Sequence, residues 1–350
     1  MYNTSLQHDL EELKNQKTNE NTWTISEIRT LLSSDQDEFI YSWADEVRKK
    51  YCGDEVHIRG IIEFSNYCRS NCFYCGIRKD NECISRYTLD PDAIISLAEE
   101  IYHKYNINSI VLQSGEDFGF EISELAEIIK EIKSKTDLAI TLCIGERSFE
   151  EYKLLKEAGA DRYLLKQETF SKELYNTMHP NMSFDNRIKC MNYLKELNFQ
   201  VGSGNLIGLP NQTLEDIAVD IYYFQKYYLD MIAIGPFIPH ANTPFANEPM
   251  GDPELTIKAI AITRIITKNA HIPATTALGA IDPKYQVKAL ESGANVIMIN
   301  FTPSSERQNY DIYPSKDRIN LIPDQKIKTL KETLKSIGRQ IGQGRGDSLK

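Results

Sequence analysis

The chain has 350 residues, with 40 Lys plus Arg against 50 Asp plus Glu and a formal net charge of -10. An acidic chain without a basic block is a poor partner for nucleic acid or an anionic membrane, and 41% hydrophobic residues exclude general disorder. No apolar run reaches the roughly 18 residues of a membrane span, and the N-terminus lacks a secretory apolar core, so a reducing cytoplasm is the expected compartment.

The first 22 residues are polar and read as frayed. Thr24 and Glu27 form a capping box for a short helix to about Leu32. A second helix is expected from Asp35 to Lys50, with Phe39, Trp43 and Val47 on one face. From Val56 onward, strand-like apolar runs alternate with helical patterns. Strands are expected at 58–65, 109–113, 138–143, 161–166, 200–207, 230–236, 272–276 and 295–299. The span from 58 to 295 is 237 residues over seven intervals, about 34 per unit, the size of a βα repeat. Eight units predict an α/β fold, a (β/α)8 TIM-type barrel. Asp90-Pro91, Ser148 with Glu151, and Thr213 with Asp216 mark helix starts, and Gly159 marks a helix end. Beyond Phe301 come an irregular segment, a helix from Pro323 to Ser336 and a Gly-rich polar tail. The expected organisation is an N-terminal helical segment (1–55), the barrel (56–300) and a C-terminal segment closing it (301–350).

Three of the seven cysteines, Cys68, Cys72 and Cys75, fall within eight residues after the first strand, spaced C-x3-C-x2-C. This pattern opposes a secreted disulfide framework and favours a metal site. Three thiolates can hold three irons of a 4Fe–4S cluster and leave the fourth open. A zinc site needs a fourth ligand, which Cys83 or His57 could supply. Polar residues recur at later strand ends. Ser114-Gly115-Glu116-Asp117 follows the second strand. Alternation sends Arg162, Leu164, Lys166 and Glu168 to one face of the fourth, where charge is costly unless it lines a polar site. Gly202 and Gly204 on the fifth permit close backbone approach to a ligand. Arg187 stands near the start of a helix over 183–197, and the Tyr222-Tyr223 and Tyr227-Tyr228 pairs read as helix packing.

The cysteine spacing, with Tyr74 before the last cysteine and the motif just after the first barrel strand, resembles the radical S-adenosylmethionine (SAM) superfamily. That resemblance implies a single 4Fe–4S cluster on Cys68, Cys72 and Cys75, whose open iron chelates SAM and which, once reduced, cleaves it to methionine and a 5′-deoxyadenosyl radical. It implies a SAM site drawn from Tyr74, Gln113, Ser114, Gly115, Glu116, Thr141, Lys166, Glu168, Arg187 and Leu206. In that site the Ser114–Asp117 element receives the SAM amino group, Glu168 accepts from the ribose, and Lys166 or Arg187 pairs with the carboxylate.

The strings IIEFSNYCRSNCFYCGIR, VLQSGED, AGADRYLLKQET, LIGLPNQT, IGPFIPH, TPFANE, IPATTA and GANVIM, between Ile61 and Met298, resemble the biotin-synthase-like group and, within it, the HydE family of FeFe-hydrogenase maturases. This second resemblance implies an enzyme acting on an iron–cysteine carbonyl cyanide precursor of the dinuclear iron subcluster. Its implied partners are HydG-like and HydF-like maturases and a ferredoxin- or flavodoxin-type reductant. Arg162, Thr275, Thr276, Tyr310 and Tyr313 are the expected substrate residues, and His240 is a further polar residue that the cavity or its edge could use. Methylornithine synthase shares barrel and SAM site and is the alternative. A non-catalytic iron–sulfur carrier is the alternative of another class. Biotin synthase is disfavoured, because its second cluster needs barrel cysteines and only Cys143 falls at an inner strand end. The chain departs from family members that carry a C-terminal accessory cluster, since its last cysteine is Cys190. Cys52, Cys83, Cys143 and Cys190 read as ordinary thiols.

Overall fold

In a computed structural model, which describes residues 2–19, 22–315 and 322–350, seven parallel strands curl into a barrel. They are β1 (Glu55–Ser65), β2 (Ser109–Ser114), β3 (Ala139–Cys143), β4 (Arg162–Leu164), β5 (Gln200–Ile207), β6 (Met231–Pro236) and β7 (Val296–Asn300), in the order β6-β5-β4-β3-β2-β1-β7. Each matches an expected run. The run expected at 272–276 does not become a strand: it makes two parallel bridges, Met231 to His271 and Pro273 to Val296. These bridges join β6 to β7 and close the ring. Pro273 has no amide to donate, and Thr275 is already the N-cap of the helix Thr276–Ile281, so a full ladder cannot form.

Local signals in the sequence hold well. The capping boxes Thr24/Glu27, Ser148/Glu151 and Thr213/Asp216 form with both of their hydrogen bonds. The helix Pro323–Ser336 stands where it was expected. Asp90 precedes the helix Pro91–His103, but its side chain makes no capping bond. The helices Ile25–Ser33 and Asp37–Cys52 pack outside the barrel against Pro253–Thr267, which is consequently buried on nearly every side.

One terminal expectation is corrected. Within the first 22 residues, Tyr2–Asn19 is a helix, docked through buried Leu10 and through Lys17. The Lys17 ammonium lies 2.8 Å from Glu27 and 5.2 Å from the Trp23 ring centre, so its stem covers apolar surface while its head is paired. The Gly-rich tail, for which the sequence predicted no element, also packs on the barrel. Its residues Gln340–Ile341 form β8, which pairs with β1 at Glu55 and Val56, and the chain beyond runs under the N-terminal ends of the barrel strands. The irregular segment after Phe301 includes the short helix Ser304–Arg307 and in part, at 316–321, lies outside the described residues.

Candidate active site

The loop after β1 carries the three cysteines, and backbone carbonyls fix its course. Arg86 donates to the carbonyls of Asn66, Ile77, Arg78 and Asn81, and the Gly76 amide donates to Ile312 at 3.0 Å. Cys68, Cys72 and Cys75 line one cavity of about 380 Å³ at the C-terminal mouth of the barrel. Gly115 lets the end of β2 approach this loop: a Cβ there would stand 2.2 Å from the Tyr67 carbonyl oxygen and 2.8 Å from Cys68 Cβ. The Glu116 amide then donates to Cys68 Sγ at 3.3 Å.

These residues fit an iron–sulfur cluster better than zinc. Burial pushes the Cys72 thiol well above its ordinary range and raises Cys68 too, so thiolates there need the positive charge that a bound metal supplies. Among the described residues no three Cys, His, Asp or Glu side chains converge on a single-ion centre. In a polynuclear cluster each thiolate binds its own iron, so the three need not converge. Neither candidate for a fourth zinc ligand lines the cavity. Cys83 is exposed, and His57 lies at the other end of β1, with its ring 5.3 Å from that of His271.

Most of the residues expected to hold SAM share this cavity: Tyr74, Gln113, Ser114, Gly115, Glu116, Lys166, Glu168, Arg187 and Leu206. Glu116 is closely held. It accepts from Arg69 at 3.0 Å, Ser70 at 3.1 Å and the Glu146 amide at 2.6 Å, and lies 3.4 Å from Arg187. Burial alone would raise its carboxyl, but Arg187, the Glu146 amide and Arg69 outweigh that and hold it below the usual value. Lys166 and Glu168 form an ion pair at 2.9 Å on the wall beyond β4. Glu168 has φ +65°, left-handed for a residue with a Cβ, and such strain collects at functional sites. Thr141 does not line the cavity. It is buried one layer beneath Cys143 with an unpartnered hydroxyl.

The glycines of β5 serve a neighbour rather than a ligand. A Cβ at Gly204 would stand 1.9 Å from the Ala233 carbonyl oxygen, so the gap admits β6.

Of the expected substrate residues, Thr275, Thr276, Tyr310 and Tyr313 line the cavity. The Thr276 and Tyr313 hydroxyls meet at 2.6 Å, and the Gln113 side-chain amide donates to the Tyr310 hydroxyl at 3.3 Å. Arg162 is not among them. It sits at the opposite end of the barrel, fully buried, donating to Gln200 at 3.0 Å and, at 2.8 Å each, to Ser109, Asp347 and the Arg345 carbonyl. Alternation along β4 assigned its face but not its height. His240 pairs with Asp311 at 2.9 Å, a clasp between the loop after β6 and the post-barrel segment.

Sequence reasoning missed several neighbours. Asn300 and Arg307 line the cavity, and Asn300 was accessible by alternation from Met298 along β7. Met182 Sδ lies 3.9 Å from Cys72 Sγ. His179, just past the helix Lys172–Met178, faces Tyr74 with 2.9 Å between Nε2 and the hydroxyl. Its Nδ1 meets the Tyr175 carbonyl at 2.9 Å, so Nδ1 carries the proton and Nε2 accepts from Tyr74. Burial lowers His179 to about 3, which keeps the ring neutral. No local sequence signal marks this pair. Cys143 lines the cavity as a neutral thiol, raised to about 11 by burial.

Residues 62–221 match the radical SAM superfamily. The chain is 46% identical over 309 residues to the FeFe-hydrogenase maturase subunit HydE of Thermotoga maritima, covering 88% of each chain. It is 30% identical to 3-methylornithine synthase of Methanosarcina barkeri, over 82% of this chain and 83% of that one. The crystal structure of a methylornithine synthase superposes with a TM-score of 0.82 at 25% identity, over 94% of this chain and 97% of the other.

Proposed function

The chain belongs to the radical SAM superfamily and is an enzyme of it, and from that premise we propose that it acts in FeFe-hydrogenase maturation in the manner of HydE. The observation that supports the chemistry is the sharing of one cavity by three thiols of a single loop and by Glu116, Glu168 and Arg187. A 4Fe–4S cluster held by Cys68, Cys72 and Cys75 alone supplies, when bound and reduced, the electron that splits SAM into methionine and a 5′-deoxyadenosyl radical. The protein's part is placement. The carbonyls around Ser114 and Gly115, beside Glu116, receive the SAM ammonium. Arg187 and Lys166 face its carboxylate, and Glu168 accepts from the ribose hydroxyls. Tyr74, fixed by His179, and Leu206 bound the adenine.

In this reading the substrate is an iron–cysteine carbonyl cyanide precursor of the dinuclear subcluster, received from a HydG-like maturase and passed as product towards a HydF-like one, with a ferredoxin- or flavodoxin-type protein as reductant. Thr275 and Thr276 hold its polar edge, and Tyr310 and Tyr313 close the mouth against water, which a radical reaction must exclude. What supports maturation over 3-methylornithine formation is 46% against 30% identity at similar coverage. The close superposition with methylornithine synthase keeps that second reading in the test. Reconstituted protein is to be assayed for 5′-deoxyadenosine release and, with companion maturases, for activation of an apo-hydrogenase. Activation is the expected result. Release of 5′-deoxyadenosine without activation, together with formation of 3-methylornithine, would select the second reading.

A further inference from the structure

Behind the cavity wall, Asp220 stands in the helix Leu214–Lys226 with no exposure to solvent. Its carboxylate takes three donors. The Thr169 hydroxyl, at 3.2 Å, and the Phe170 amide reach Oδ1, and the Asn205 side-chain amide reaches Oδ2 at 2.9 Å. Among the described residues no cation pairs with it, and the charge nearest in its own helix is Asp216, one turn earlier. A buried carboxylate without a cation is unfavourable, and burial raises this one to about 7. A side chain buried at that cost points to a task beyond packing.

All three donors belong to the surroundings of one residue. Thr169 and Phe170 directly follow Glu168, and Asn205 is the β5 residue with which Glu168 forms its bridge. Glu168 has the left-handed φ of +65°, which a residue with a Cβ adopts only when its surroundings impose it. On the barrel side β5 imposes it: the Glu168 amide donates to the Gly204 carbonyl at 3.0 Å, and its carbonyl accepts from the Leu206 amide at 3.1 Å. On the outer side the restraint is Asp220.

We propose that Asp220 is a positioning residue for SAM, clamping the left-handed turn at Glu168 from outside the barrel wall and so fixing the carboxylate that faces the ribose. The inference rests on the reading of Glu168 as the ribose acceptor. A carboxylate that served folding alone would contribute equally whether or not Glu168 had its side chain. The two cases separate in a double-mutant cycle.

The test measures SAM affinity by equilibrium dialysis on cluster-reconstituted protein, with iron content as the control. Asp220→Ala is expected to weaken SAM about tenfold at unchanged iron content, and to have no further effect in a Glu168→Ala background. Asp220→Asn is expected to restore most of the affinity. Its oxygen still serves Thr169 and Phe170, and its amide can donate to Asn205 Oδ1, which has no partner and becomes available when that amide turns over. If Asp220→Ala does not fold, Thr169→Val removes one leg of the clamp and enters the same cycle with the same expected coupling. An equal loss with and without the Glu168 side chain overturns the proposal while leaving the ribose assignment standing. Unchanged affinity in Glu168→Ala alone overturns the ribose assignment, and the clamp with it.

Discussion

Arg162 at the floor of the barrel and Arg187 at its mouth are both largely buried guanidiniums, but their partners differ in kind. Arg162 has four acceptors at 2.8–3.0 Å, two of them, Asp347 and the Arg345 carbonyl, from the chain's own tail. Arg187 is anchored on the Lys166 carbonyl at 2.9 Å and meets Glu116 and Glu146 only at 3.4 and 3.5 Å, beside an open cavity. The floor is satisfied by its own chain, and its charge serves stability. The mouth keeps charges that can regroup around a charged ligand. The difference shows that burial of an arginine does not by itself mark a site. What matters is whether its donors are already taken at good distance.

The largest effect belongs to the mouth. Cys68→Ser, Cys72→Ser or Cys75→Ser should each lower 5′-deoxyadenosine release by on the order of 100-fold or more and reduce bound iron, because one thiolate ligand is lost, with little change in thermal unfolding of the apo-protein. If Cys83→Ser did the same, a four-thiolate site would replace the one argued above.

At the floor, Arg162→Ala should lower unfolding free energy by roughly 3 kcal/mol, since four hydrogen bonds of a buried guanidinium are lost and Ser109 loses the donor that meets its hydroxyl, yet leave SAM affinity unchanged. Denaturant titration beside SAM binding checks this. Loss of maturation at full stability would break the contrast between the two ends.

Glu168→Ala should weaken SAM by about 1.5–3 kcal/mol through loss of a charge-assisted acceptor. Glu168→Gly should weaken it equally while gaining about 1 kcal/mol of stability, because glycine adopts a positive φ without strain. A Glu168→Gly protein less stable than Glu168→Ala would show that the turn is unstrained.

The effect that is smallest near neutral pH is common to both ends. Burial lowers His179 at the mouth to about 3 and His271 at the floor well below its ordinary 6.5. Both are neutral in the folded chain and take up a proton near 6.5 when it unfolds, so stability falls as pH drops through 6.5. Each contributes about 1.4 kcal/mol per pH unit until its folded value is reached. Replacing either with Gln should flatten the acid limb of a stability–pH curve by that slope. An unchanged limb would mean that the ring is charged in the fold.

Features that depend on residues a few positions apart were legible in the sequence. The C-x3-C-x2-C loop, the three capping boxes, the helix Pro323–Ser336 and seven of eight strand positions follow from spacing, capping chemistry and alternation, each a short-range constraint on one segment. Position at or past the C-terminal end of an expected strand brought Glu116, Lys166 and Glu168 to the correct end of the barrel, while alternation gave only the shared face of Lys166 and Glu168. Tertiary structure alone decided the rest. Arg162 begins β4, so the same rule places it at the floor, but its acceptors there, the Arg345 carbonyl and Asp347, lie 183 and 185 residues away, a separation over which no sequence pattern operates. The tail is ordered for the same reason: β1 offers it an edge and buried arginine offers it a charge. The Tyr74–His179 pair and the Asp220 clamp likewise join segments that meet only when the barrel closes. A buried polar group goes where its partners are, and those partners are fixed by the packing of the whole chain.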